Sequence, residues 1–265
     1  MLEFTNSWSA QSVSVQLPAW ADIVGWSVRD PRVVKALVTG YPRFMIPHKV
    51  TSLSQRIASM CLKQGKFKGY QNGELFALTV STYRHAIMCQ HTLRREQEPR
   101  VHPSDIVIMK LSWDGTMTEM DGQLEAKTIV PGLGEEPIFA ITHPTELQPA
   151  ARFLWQHTGF GISSRRAEFW LVQGPFGLEE NKTPSSSYGP KEIGTARAAI
   201  RNRIGAGHGV PEENVFLYAG GMAAITETAM AIQTVRGQKQ ASHVRAVVFG
   251  FVPLPWSSPS VVDVG

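Results

Sequence analysis

The chain has 265 residues, of which 43% are hydrophobic and 18% charged, which is enough apolar material for one large domain or two modest ones. Its 26 basic and 22 acidic residues give a net charge of +4 and form no long block of one sign, so we expect a mildly basic surface and no nucleic-acid binding. No secretory signal opens the sequence, no apolar run approaches the ~20 residues of a membrane span, and the two cysteines are isolated. This composition predicts a soluble cytoplasmic protein that does not associate with membranes.

The first part of the chain alternates predicted strands and helices, which is typical of an α/β layer. Helix starts and ends are indicated by Asp30-Pro31 and by Gly40. In chain order, helices are predicted at Asp30–Gly40, Val50–Leu62 and Pro144–Trp155. Strands are predicted at Ser12–Pro18, Gly73–Val80, Asp105–Leu111 and Ile138–Ile141, with a turn at Trp113–Gly115.

A polar, proline-punctuated stretch at Gly174–Pro190 predicts an exposed connector between two regions. The region beyond it is predicted to continue as helix, strand, helix and strand. Its first helix is marked by Ile193, Ile200 and Ile204, with Arg197, Arg201 and Arg203 on the exposed side, and is ended by Gly205–Gly209. The later elements are a strand at Val215–Tyr218, a helix through Val235, a strand at Ala246–Phe249 and an irregular tail over Val252–Gly265.

The sharpest chemical signal is the pair of glycines at Gly220-Gly221, placed between a predicted strand and the helix that starts at Met222. Glycines there allow the backbone to approach an anion closely, and a helix N-terminus offers free N–H groups and a favourable dipole. The pattern therefore predicts a phosphate cradle. An ordinary strand–turn–helix with glycines for tight packing gives the same pattern, and the pattern alone favours that interpretation.

Two other segments are interpreted as structural. Gly205–Gly209 follows a helix where a dinucleotide loop needs a strand, so it indicates a helix end. Trp155–Phe169 concentrates hydroxyls, guanidiniums and an imidazole, which would suit an anion, but a helix end followed by serine caps and an Arg–Glu pair is favoured. The eight histidines show no metal-ligand spacing.

These segments carry a resemblance to a known family. Tyr41–Phe44 (YPRF), Trp155–Phe169 (WQHTGFGISSRRAEF), Val215–Ile225 (VFLYAGGMAAI) and Val247–Phe251 (VVFGF) are similar, in order and approximate spacing, to fungal cystathionine γ-synthases. The similarity covers nearly the whole chain up to Phe251. It implies part of an α/β large domain of the fold type I, aminotransferase-like class, preceded by an α/β N-terminal extension.

The resemblance also implies a cofactor and a reaction. The family uses pyridoxal 5'-phosphate (PLP) as an electron sink for γ-replacement on an activated homoserine, in transsulfuration and methionine biosynthesis. Its phosphate-binding turn falls on Gly220, Gly221 and Met222. The family's usual Ser or Thr is replaced by Gly220, so one hydroxyl contact is lost while the backbone N–H groups remain. The implied partners are small amino acids, with a homo-oligomer or an intact paralogue as possible protein partners.

At other positions this sequence differs from the family's pattern. The arginine that reaches the cofactor phosphate of a neighbouring subunit would fall in Tyr188–Lys191, where Lys191 is the only cation. The family's Schiff-base lysine lies much further along, and the only lysine after Met222 here is Lys239. The only aspartate there is Asp263, so the resemblance assigns no catalytic residue.

Three functional alternatives therefore stay open. We expect residues 1–185 to form the extension, 186–251 to begin an incomplete large domain, and 252–265 to be the tail, so that the chain is a truncated, inactive transsulfuration-type enzyme. The second alternative is a non-catalytic relic or a partner subunit of an intact PLP enzyme. The third is an α/β binding domain whose glycine loop holds another phosphate.

Overall fold

The structure is a computed structural model that describes residues 19–36, 45–67, 69–96, 101–121, 137–172, 174–176 and 190–237. Over these ranges the chain forms eight α-helices and four β-strands, joined in places by short 3-10 turns. The helices are α1 (Trp20–Ser27), α2 (Pro31–Ala36), α3 (His48–Lys63), α4 (Tyr83–Arg95), α5 (Gln148–Thr158), α6 (Ser164–Val172), α7 (Pro190–His208) and α8 (Gly221–Gly237). The strands are β1 (Leu75–Val80), β2 (Val107–Leu111), β3 (Met117–Met120) and β4 (Ile138–Pro144). The chain divides into two compact units, residues 1–224 and 225–265, and α8 spans the division.

The four strands form one antiparallel sheet in the order β1-β4-β2-β3. The last strand in sequence, β4, lies between β1 and β2, with Leu78 opposite Ile141 on one side and Ile108 opposite Ile141 on the other. All of its seven residues are buried, since its edges are paired and both of its faces are covered. The prediction of a fold that combines helices and strands is therefore confirmed. The sheet of the described residues is antiparallel.

Side-chain alternation divides the sheet into two apolar faces. Ile138 and Ala140 of β4 point into the core that α3 and α6 cover, where Trp170 of α6 is completely buried. Phe139 points to the opposite face, where its ring packs against Tyr83 of α4 at 5.5 Å between centroids. Helix α5 packs beside α4. The sheet is thus sandwiched between two pairs of helices.

Local sequence signals account for the early elements. Asp30 Oδ1 accepts the Arg32 N–H at 2.8 Å and so caps α2, as predicted. Helix α3 buries Leu53, Ile57 and Cys61 along one face, which confirms the predicted helical periodicity. The predicted turn at Trp113–Gly115 is confirmed by a Gly115 N–H bond to the Ser112 carbonyl at 3.0 Å.

Several elements differ from the prediction or were missed, including α1 and β3, for which no helix or strand was predicted. Helix α4 was not predicted because its buried face includes His85 and Gln90, so the chain has no continuous apolar stripe there. Helix α7 ends at His208, within the predicted end Gly205–Gly209, and is followed by Gly209 at φ 65°, which confirms that prediction. Val215–Tyr218 is not a strand, since those residues have no ladder partner in the described part of the chain.

Several predicted segments lie outside the described residues: the strands at Ser12–Pro18 and Ala246–Phe249, most of the connector at Gly174–Pro190, and the tail at Val252–Gly265. Within the described residues, no helix combines the length and apolarity needed to cross a membrane.

Candidate functional site

The segment Trp155–Phe169 joins α5 to α6 and is tied to the sheet. Its residue Gly161 forms an isolated antiparallel bridge with Val80, the last residue of β1. The Ser81 N–H donates to the Phe160 carbonyl at 3.3 Å, and the Ile162 N–H donates to the Thr79 carbonyl at 3.4 Å. Gly161 also lies against the Trp155 indole, which occupies the space where a β-carbon would project. This segment therefore extends the edge of the sheet.

The polar side chains of the same segment serve the fold. The Ser163 hydroxyl accepts the Arg166 N–H at 3.2 Å and caps α6, as the structural interpretation predicted. The Arg166 guanidinium donates to the Pro137 carbonyl at 3.2 Å. Glu168 forms an ion pair with Lys49 of α3 at 3.2 Å, a long-range contact that sequence alone did not indicate. The Ser163 hydroxyl and the Arg166 guanidinium thus bind main-chain groups of the fold itself.

His157, predicted to be structural, lies in the last turn of α5. Its ring meets the ring of Phe153 edge-on, with 4.1 Å between centroids. A second histidine, His143 of β4, is buried, and its Nδ1 lies 2.9 Å from the Pro144 carbonyl. Burial lowers the pKa of His143 and so favours its neutral form.

The predicted phosphate-binding turn opens α8. Gly220 precedes the helix, Gly221 is its first residue, and the Ala224 N–H donates to the Gly220 carbonyl at 3.2 Å. Both glycines are exposed, and no atom of the described residues lies within 4 Å of the position that a β-carbon would take on either of them. The turn is therefore open to a ligand from the side of Gly220 and Gly221. Since Val215–Tyr218 is not a strand, the motif is a coil–turn–helix.

The other side of this turn is closed by the end of α5. Gly159 caps α5 with φ 69° and ψ 15°, the left-handed conformation that glycine adopts readily. A β-carbon on Gly159 would lie 2.5 Å from the Ala223 nitrogen and 2.8 Å from Met222 Cβ. Ala223 is only 3% exposed. The first turn of α8 thus has one open side and one side covered by Gly159.

The backbone of the turn that opens α8 has a geometry that fits a phosphate group. The first N–H groups of an α-helix have no partner within the helix, and the helix dipole favours an anion at this end. Open space at Gly220 and Gly221 would let phosphate oxygens reach these donors. Lys191, the substitute cation, is the second residue of α7, and its side chain lies outside the described residues. The groups that the structure places at this site for binding a phosphate are therefore backbone N–H groups.

The region that carries the sheet is similar to a known protein family. Residues 50–163, which run from α3 to the cap of α6, match the family described as fungal trans-sulfuration enzyme, N-terminal domain. A cystathionine gamma-synthase of Neurospora crassa is 32% identical over 161 residues, which cover 61% of this chain and 24% of that protein. No solved structure matches the chain.

Two further relatives align over more of the chain. The alanine racemase ungC of Aspergillus violaceofuscus is 26% identical over 246 residues, covering 84% of this chain and 41% of its own length. The cystathionine gamma-synthase-like enzyme iboG1 of Amanita muscaria is 23% identical over 287 residues, covering 91% and 44% respectively. The chain thus spans less than half the length of each of these relatives. Residues 50–163 thus match the fungal trans-sulfuration N-terminal domain, and the chain is similar to the N-terminal portion of cystathionine gamma-synthases.

Proposed function

We propose that this chain is the N-terminal portion of a PLP-dependent enzyme of the cystathionine γ-synthase type, and that the turn at Gly220–Met222 binds the cofactor phosphate. The observation that carries the proposal is the match of residues 50–163 to the fungal trans-sulfuration N-terminal domain. Relatives named as enzymes support the catalytic alternative over a non-catalytic one.

One alignment spans the position of the proposed site. The alignment with iboG1 covers 91% of the chain and so leaves about 9% of it unaligned. Met222 lies much further than that from either end of the 265-residue sequence. The turn therefore falls within the aligned part, which supports carrying the family's phosphate-binding role onto Gly220, Gly221 and Met222.

The residues of the turn have a defined task in this proposal. When bound, PLP supplies an electron sink for bond breaking at an amino-acid substrate. The N–H groups of Gly221 and Met222 donate hydrogen bonds to its phosphate, and the dipole of α8 stabilises the negative charge. Gly220 contributes no hydroxyl, so the phosphate is held by backbone donors at this position. The proposed substrate is an activated homoserine, whose γ-substituent is replaced.

A second candidate reaction is racemisation at the α-carbon of an amino acid. The relative named alanine racemase aligns over 84% of this chain, a larger share than the 61% for the Neurospora crassa cystathionine gamma-synthase. Both candidates use the same phosphate-binding turn in this proposal. Assays with an activated homoserine plus cysteine, and separately with L-alanine, distinguish the two reactions.

Binding of PLP and of pyridoxal, which lacks the phosphate, tests the cofactor assignment. We expect the purified chain to bind PLP by isothermal titration calorimetry and to bind pyridoxal at least about tenfold more weakly, since charge-assisted bonds to the phosphate are lost. Inorganic phosphate should compete with PLP. Equal affinity for PLP and pyridoxal, or no binding of either, would contradict the proposed role of the turn.

A further inference from the structure

The contact between Gly159 and the first turn of α8 joins two parts of the sequence that have different proposed roles. Gly159 lies inside the stretch 50–163 that matches the trans-sulfuration N-terminal domain. Met222 and Ala223 belong to the helix that opens at the proposed phosphate-binding turn. Both sides of this contact lie in the same compact unit, residues 1–224.

The approach is one of backbone to backbone. The β-carbon position of Gly159 lies 2.5 Å from the Ala223 nitrogen and 3.0 Å from the Met222 carbonyl carbon, whereas real β-carbons essentially never come within 3.0 Å of another atom. These are main-chain atoms, so they cannot swing aside as the end of a flexible side chain would. Any residue with a side chain at this position must displace the first turn of α8 or the end of α5.

The close approach also determines which side of the turn is available. Ala223 is buried, while Gly220 and Gly221 are exposed with open space around them. Relieving the 2.5 Å approach to the Ala223 nitrogen to more than 3.0 Å requires a movement of at least 0.5 Å, which would displace the N–H groups of Gly221 and Met222 if the first turn of α8 moves. Hydrogen bonds weaken steeply with such misalignment.

We propose that Gly159 is a positioning residue for the cofactor-binding turn: it allows the N-terminal domain to pack directly on Met222 and Ala223 and so fixes the direction of the phosphate-binding N–H groups. This inference rests on the proposed function, because it assigns those N–H groups to the cofactor phosphate. It gives the N-terminal domain a role in cofactor binding without a side chain that touches the cofactor.

The test is the substitution Gly159→Ala with Gly65→Ala as its matched control. Gly65 follows α3 with φ 67°, close to the 69° of Gly159, but within the described part of the chain no atom lies within 4 Å of its β-carbon position. Both substitutions therefore introduce the same backbone strain, and only Gly159→Ala adds the collision with α8. Two quantities are measured for each protein: the affinity for PLP by calorimetry, and the hydrogen-exchange rates of the amides in the first turn of α8.

We expect Gly159→Ala to weaken PLP binding by about tenfold or more and to accelerate exchange at Met222–Ile225, because overpacking against a backbone forces a shift. Gly65→Ala should leave both quantities within about twofold of the parent, since its β-carbon enters open space. If Gly159→Ala does not fold, Gly159→Asn replaces it, because asparagine tolerates the left-handed conformation and still carries the β-carbon.

The exchange measurement keeps this inference separable from the proposed function. A parent chain that binds no PLP, together with accelerated exchange in Gly159→Ala, would remove the cofactor role and with it the positioning role. Unchanged PLP affinity and unchanged exchange in Gly159→Ala would overturn the positioning role and leave the phosphate-binding turn standing. Equal effects of the Gly159 and Gly65 substitutions would also overturn it, because backbone strain alone would then explain the result.

Discussion

The substitution Gly221→Val tests the open side of the phosphate-binding turn. Gly221 is the first residue of α8, it is exposed, and none of the residues that the structure describes has an atom within 4 Å of its β-carbon position. Valine and glycine differ in helix propensity by only a few tenths of a kcal/mol, so we expect the free energy of unfolding without ligand to change by less than about 0.5 kcal/mol. The valine methyls would, however, occupy the space through which a phosphate reaches the backbone N–H groups.

The expected size of the effect follows from ligand linkage. PLP at 100 times its dissociation constant stabilises a folded protein by about 2.7 kcal/mol, which for a chain of this size raises the Tm by about 5–10 °C. If Gly221→Val weakens binding about 100-fold, the remaining stabilisation is about 0.4 kcal/mol and the Tm rises by only about 1 °C. Thermal unfolding with and without PLP, followed by circular dichroism, measures this difference.

Gly207→Val provides the matched control. Gly207 lies in helix α7, is exposed, and has no atom of a described residue within 4 Å of its β-carbon position. The same substitution there should leave the Tm shift caused by PLP unchanged. If PLP protects the parent and Gly221→Val equally well, the turn has only a structural role and the reasoning from its open geometry is refuted.

Three further predictions follow from burial and composition. Because burial lowers the pKa of His143, the unfolded chain binds a proton before the folded one does, and stability should fall as the pH drops below about 6.5, by at most about 1.4 kcal/mol per pH unit. Urea unfolding between pH 7.5 and 5.5 measures this slope; His143→Gln should flatten it, and an unchanged slope would exclude His143 as its source. Burial raises the pKa of Cys61 to about 11 and that of Cys89 to about 12, so neither thiol should react with Ellman's reagent until the protein is unfolded by denaturant; rapid labelling of the native chain would contradict the described burial. Limited proteolysis should cut first within Gly174–Pro190, the predicted connector, as peptide mass mapping can establish, and initial cleavage inside β2 would show that the boundary is wrong.

The sequence predicted the elements whose signals are local. A capped start with Asp30-Pro31 and the spacing of Leu53 and Ile57 sufficed for α2 and α3. Helix α4 could not be predicted in this way, because its polar residues His85 and Gln90 are buried through distant partners. The His85 ring stacks on Phe160 at 4.0 Å, and the Gln90 side-chain amide donates to the Ile106 carbonyl at 2.8 Å.

In the candidate site, too, features with local sequence signals were predicted and features that depend on distant residues were not. The glycine pair at Gly220-Gly221 and the helix after it were predicted correctly, since glycine and helical periodicity are local signals. Val215–Tyr218 was wrongly predicted as a strand, because an apolar, β-branched and aromatic run needs a neighbouring strand to become part of a sheet. The contact of Gly159 with Ala223 was not predicted either, because sequence spacing does not indicate which distant backbones meet.

The position of β4 in the sheet has a consequence for biosynthesis. The hairpin of β2 and β3 can pair as soon as it is synthesised, but among the described strands β1 pairs only with β4, which emerges last from the ribosome. Pairings between strands distant in sequence form slowly, because a long loop must be closed before any contact is gained. The apolar faces of β1 and α3 therefore stay exposed in the nascent chain for longer than they would if β1 paired with the next strand in sequence. We expect this domain to depend on chaperones during translation.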